Sequence, residues 1–157
     1  MRTPASIAGH PIHPMVVPIA IGGFLLSFVF DLVALITGIT DPWATVAYYT
    51  MIGGIVGGLV AAVFGFIDLI SLPAGPMKRI GYTHMGLNLA IVGLFLANAL
   101  MRHDDVGGNA PFWMSAIGVA LLGVSGWLGG KLVYEGAIGV SDGEVPARRA
   151  SNRRIEA

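Results

Sequence analysis

Four apolar runs restrict this sequence more than any other feature. They are Pro14–Gly38, Trp43–Leu72, Arg79–Met101 and Pro111–Tyr134. Each exceeds the ~20 residues that a helix needs to cross a hydrocarbon core of ~30 Å. The expectation is an all-α, integral membrane four-helix bundle over residues 1–140, followed by a polar, Arg-rich tail at 141–157 without fixed structure. Composition agrees with it. Of the 157 residues, 55% are hydrophobic and only 11% charged, and the mean hydropathy is +0.76. A soluble domain of this length carries more charge on its surface. The first run is too long for a signal peptide and lacks a small-residue cleavage site, so it is expected to remain as a span.

The charges sum to zero, but their distribution sets an orientation. With four spans, both termini and the second loop share one face. That face holds Arg2, Lys78, Arg79, Lys131, Arg148, Arg149, Arg153 and Arg154, whereas the other holds Arg102 alone. Positive residues stay on the cytoplasmic side. The chain is therefore expected to be a multi-pass protein of a bacterial inner membrane with both termini cytoplasmic. Trp43, Tyr48, Tyr49, Phe112 and Trp113 near one interface, and Tyr82 and Tyr134 near the other, fit aromatic belts. The tail arginines at 148–154 suit anionic lipid heads or act only as a topology anchor.

Glycine marks where helices approach. Gly53, Gly57, Ala61 and Gly65 recur every four residues and form one smooth stripe. The fourth run has a shorter version at Gly126 and Gly130. Small residues permit close helix packing in lipid, where no hydrophobic drive separates helix from tail. Packing within the bundle is one reading of the stripe and homo-oligomerisation the other. The second and fourth runs match too poorly to read as an internal repeat.

Polar side chains within the spans are few, and ionisable groups at that depth are costly. His10 and His13 precede the first span in GHPIHP, held by Pro11 and Pro14. Asp68, His84 and Lys131 lie near the same end of their helices. His84 and Asn88, four apart, share a helix face. Asp31 sits in the outer half, with Asn98 at a level from which it can pair. Two imidazoles on facing helices are a means by which a bundle holds haem, and two or three imidazoles with a carboxylate suit a divalent metal. The bland alternative pairs Asp68 with Lys78, Arg79 or Lys131. The chain has no cysteine, which excludes disulfides, thiolate sites, iron–sulfur clusters and covalent c-type haem. It has no serine-nucleophile motif, phosphate loop, HExxH or nucleic-acid surface, so it does not read as an enzyme with a soluble active site.

GHPIHPMVVPIAIGGFLLSFVFDL, GGLVAAVFGFIDLISLP, GYTHMGLN and GGKLVYEGAIGV together resemble a bacterial family of small integral membrane proteins, domain of unknown function 2231, from about Gly9 to Val140. The resemblance implies a four-span domain with no settled activity. Similar domains beside Rieske or cytochrome c modules imply a redox setting. Carried over residue by residue, a family site falls on His10, His13, Asp31, Asp68, His84 and Asn88. Some relatives have a histidine near the GGxLVY run, where this chain has Lys131 and Glu135.

The leading expectation is a bundle that binds haem b or a divalent metal for electron transfer or sensing. His13 and His84 are its ligands, His10 a substitute, and Asp68 orients an imidazole. One rival is an accessory or scaffold subunit without a cofactor. Another is a proton-coupled small-solute carrier that uses Asp31, Asp68 and His84 as a relay. The expected partners are the lipid bilayer, a redox partner or a second copy, and no nucleic acid.

Overall fold

A computed structural model describes residues 3–102 and 108–140. Four helices account for most of them: α1 (Ile12–Thr37), α2 (Trp43–Ser71), α3 (Pro76–Arg102) and α4 (Asn109–Tyr134). All four are long and apolar enough to cross a membrane. Each packs on the two beside it, in ring order α1–α2–α3–α4. The fold is thus an all-α membrane bundle. The Arg-rich tail, with its expected lipid contacts, lies outside the described residues.

The surface confirms the solvent for which the bundle is built. Ile36 is 82% exposed and Trp127 74%, whereas Arg102 is 2% exposed. Apolar residues face outward on every helix, and the buried polar set includes Ser27, Asp31, Asp68, Asn98, Arg102, Ser115 and Ser125. This inversion suits a hydrocarbon surround, where buried polar groups must find partners inside. Tyr49 and Trp113 stand exposed near one end and Tyr82 and Tyr134 near the other, as aromatic belts do.

The helix ends follow local chemistry. Ala8 and Gly9 both have positive φ, 51° and 83°. They form a two-residue turn of the primed type, which pairs Ser6–Ile7 (β1) with His10–Pro11 (β2). Helix α1 begins at once after this hairpin, so His13 lies inside its first turn rather than on a lip before it. Pro14 is tolerated there because the first N–H groups of a helix have no partner in it. Gly38, at φ 68°, closes α1 in the left-handed conformation. Leu72 ends α2 in an extended conformation, as a residue before proline prefers. Helix α3 starts at Pro76, three residues earlier than the apolar run. This carries Lys78 back over the end of α2, where its Nζ donates to the carbonyls of Ile70 (3.2 Å) and Leu72 (2.8 Å). A cation there favours the negative end of the helix dipole.

At mid-height Phe24 of α1 and Phe95 of α3 stack across the bundle, with ring centres 4.0 Å apart and planes 6° from parallel. Ala20, Met51, Ile55, Ile91, Val92 and Ala99 complete this apolar core. It divides the bundle into a terminal end, where α1 begins and α4 finishes, and a distal end.

Of the glycine stripe, Gly57, Ala61 and Gly65 pack inside the bundle and Gly53 does not. A Cβ on Gly57 would lie 2.8 Å from Ile19, and one on Gly23 would lie 2.6 Å from the Gly54 backbone. Gly53, Gly126 and Gly130 meet no neighbouring helix. The packed glycines include Gly23 on α1, Gly54, Gly57, Gly58 and Gly65 on α2, Gly81 on α3, and Gly118 and Gly129 on α4.

Candidate functional site: two imidazoles in an apolar cavity

At the terminal end His13 and His84 come together, on α1 and α3. Their ring centres are 6.5 Å apart and their planes nearly perpendicular, at 86°. Each ring is held in the same way. His13 Nδ1 lies 2.8 Å from the Ala61 carbonyl oxygen of α2, and His84 Nδ1 lies 3.0 Å from the Ser125 carbonyl oxygen of α4. A carbonyl only accepts, so each Nδ1 carries the proton and donates. In a neutral ring this leaves the Nε2 lone pair available as a ligand.

A mid-helix carbonyl is ordinarily covered by the side chain four residues on, because helical side chains lean toward the N-terminus. Here those residues are Gly65 and Gly129. A Cβ on Gly65 would sit 2.8 Å from His13 Nδ1, and one on Gly129 would sit 3.2 Å from His84 Cε1. The missing side chains uncover the carbonyls and make room for the rings. Sequence reading found the histidines but took Gly65 as part of a packing stripe and passed over Ala61, Ser125 and Gly129 as site residues. The signal was a small residue four positions before a glycine on each partner helix.

The two rings border a cavity of about 390 Å³ among all four helices, lined by apolar side chains with a few polar ones. That size lies in the range of small-molecule and cofactor sites, ~300–1,000 Å³. Val17, Ile21, Leu59, Leu89 and Leu122 are among its walls. Asn88 lies in it one turn beyond His84, and its amide donates to His84 Nε2 (3.1 Å) and to the His84 carbonyl (2.7 Å). The Ser125 hydroxyl also contacts His84 Nδ1, at 3.2 Å.

Asp68 borders the same cavity, but its carboxylate accepts from the Ala5 backbone N–H at 3.0 Å. The Thr3 hydroxyl is buried beside it without closing a hydrogen bond of full geometry. Asp68 thus fastens the segment before the hairpin across the end of the bundle. The imidazoles are oriented by carbonyls and not by Asp68. No lysine or arginine pairs with Asp68 among the described residues: Lys78 caps α2, and Lys131 faces Glu135 at 3.9 Å. His10 stays outside, exposed on the hairpin, with Nδ1 3.2 Å from the Ala8 carbonyl. Among the described residues no three His, Cys, Asp or Glu side chains are arranged to hold a metal ion.

The distal end holds a different cluster. Arg102, read from sequence as a loop charge, ends α3 and turns inward. Its guanidinium grips Asp31 of α1 with two hydrogen bonds, 2.7 Å to Oδ1 and 2.5 Å to Oδ2. Its Nε donates to Asn98 Oδ1 at 2.8 Å. Asn98 Nδ2 donates onward to the Pro111 carbonyl (2.8 Å) and the Ser115 hydroxyl (3.0 Å) of α4. Asp31 and Asn98 are thus joined through Arg102 instead of pairing directly. The network ties three helices together and has the planar two-pronged geometry of the strong arginine–carboxylate pair.

A family described as a predicted membrane protein, domain of unknown function 2231, matches residues 9–142. The chain belongs to this family. The family match covers both clusters and all four helices. No curated protein and no solved structure matches the chain.

Proposed function

We propose that this family member is a haem b-binding electron-transfer or sensing bundle, in which His13 and His84 would hold the haem iron. The observation that carries the reading is the pair of imidazoles 6.5 Å apart with both Nδ1 atoms anchored. Two imidazoles bound through Nε2 to opposite faces of one metal, at ~2 Å each, have ring centres about 6 Å apart. The donor set favours a porphyrin over a bare divalent ion. A structural divalent site asks the protein for three or four ligands, and among the described residues two imidazoles converge here and no group of three is arranged to hold a metal. A porphyrin brings four nitrogens of its own and needs two more. Bound haem would supply one-electron chemistry. The chain would hold it by the two imidazoles, surround it with apolar walls and fix ring direction through Ala61 and Ser125. Asn88 would have to release His84 Nε2.

The scaffold reading has its own support: each histidine joins two helices by a hydrogen bond, which is useful without a ligand. Titration with ferric haem in mild detergent separates the two. Uptake of one equivalent with a low-spin bis-imidazole spectrum is expected, lost in both His13→Ala and His84→Ala. A wild-type protein that binds no haem leaves the scaffold reading. The carrier reading has less support, since apolar core layers separate His84 from Asp31. The charge split supports cytoplasmic termini. Reporter fusions at Ala157 and between α3 and α4 should report opposite sides, the first cytoplasmic.

A further inference from the structure

We propose that the bundle is two copies of one helical hairpin, and that the cofactor site consists of two equivalent half-sites facing each other across the axis that relates them. The cofactor part rests on the haem reading above, and the equivalence of the half-sites stands apart from it. The basis is a register. Asp31 and Arg102 are 71 residues apart. The same offset carries His13, Ala20, Phe24 and Ser27 onto His84, Ile91, Phe95 and Asn98. The histidines are half-buried in both sets, and every other member of both sets is buried.

A second offset relates α2 to α4. Adding 64 to Met51, Gly54, Ala61 and Gly65 gives Ser115, Gly118, Ser125 and Gly129. Contacts repeat as well as positions. Phe24 lies against Gly54, and Phe95 against Gly118. His13 lies against Gly65 and His84 against Gly129. His13 donates to Ala61, 48 residues ahead, and His84 to Ser125, 41 ahead. The difference of seven is the difference between the two offsets. Asp31 to Ala47 is seven residues longer than Arg102 to Pro111, so the shortening falls in the distal connection. Sequence comparison missed the repeat because this shortening breaks a single alignment, and because few identities survive beside His13/His84, Gly22/Gly93, Phe24/Phe95 and Leu25/Leu96.

Both hairpins begin at the terminal end, so the relating axis runs along the bundle, as in parallel repeats. His13/His84 and Phe24/Phe95 meet on that axis. A group that would be held by one imidazole from each hairpin matches two equivalent donors. Asp68 and Ser125 have Leu132 and Ala61 as counterparts, and a further departure at the site is Asn88, whose counterpart is Val17. It gives His84 a hydrogen bond that His13 lacks.

Two measurements test the equivalence. In the first, His13→Gly and His84→Gly are each loaded with ferric haem. Each should lose the bis-imidazole spectrum and regain it on adding free imidazole, with half-saturating concentrations within about tenfold of each other. Restoration of one variant and not the other, in protein that elutes as wild type does, would overturn the proposal. The second needs no haem. Nitrogen-15 spectra of the wild-type chain, assigned by single histidine variants, should show His13 and His84 in the same Nδ1–H tautomer, with His84 Nε2 alone shifted back by Asn88→Val. Different tautomers, or an Asn88→Val variant that leaves His84 Nε2 in place, would overturn it. Failure of wild-type protein to take up haem sinks the cofactor reading, and the nitrogen-15 result still decides the duplication.

Discussion

The two ends of the bundle use polar residues in opposite ways. At the distal end the charges consume each other: Arg102 is matched by the Asp31 carboxylate, the Asn98 carbonyl and the Ser115 hydroxyl. At the terminal end each imidazole uses one nitrogen on a backbone carbonyl beside a cavity, and the other nitrogen of His84 accepts from the Asn88 amide. An ionisable group inside a membrane is a site candidate by default. The contrast refines that rule. A cluster whose charges are paired holds helices, and an anchored ring beside open volume is the candidate ligand site.

The comparison is broken most severely at the distal clamp. Arg102→Ala leaves Asp31 buried without its partner and should cost about 3–5 kcal/mol, read as thermal unfolding in detergent. The double variant Asp31→Leu with Arg102→Leu should recover most of this loss, because no uncompensated charge remains. Equal losses in the single and double variants would show that packing, not the ion pair, holds this end. Next comes the α1–α2 contact that positions His13. Gly57→Leu drives a side chain into Ile19 and should cost about 1–3 kcal/mol, with haem uptake reduced in parallel. A smaller effect is expected from His13→Ala, about 1 kcal/mol for one hydrogen bond, although the same change should abolish binding. Large binding loss with small stability loss is the signature that separates this end from the clamp. The smallest effect belongs to Gly53→Leu. Nothing lies within 4 Å of a Cβ there, so stability should change by less than about 0.5 kcal/mol.

The fold was legible because its cause is written in every turn: four runs of apolar residues have few stable arrangements in lipid. The histidine pair was legible from depth alone, since His13 and His84 lie near the same end of their spans. Three things were not. Arg102 read as a loop charge, because positive residues outside a span are common and an inward turn depends on an acceptor 71 residues away. Asp68 read as an orienting carboxylate, since nothing local says that the chain before the hairpin folds back to bring it the Ala5 N–H. Gly65 looked like a packing glycine and Gly129 was passed over, because an uncovered carbonyl becomes a seat only when a ring arrives from another helix.

The Phe24–Phe95 layer carries an electrical consequence. Stacked rings in an apolar core form a slab of low permittivity across the middle of the bundle. Most of any transmembrane voltage falls across such a slab, and each charge that crosses the full field exchanges about 2.3 kcal/mol per 100 mV. The imidazoles lie three helical turns to one side of it. An electron or proton entering and leaving by that side crosses little of the field. A haem held there as proposed would thereby exchange charge with one aqueous face and be insulated from the other, so its chemistry would neither draw on the membrane potential nor dissipate it.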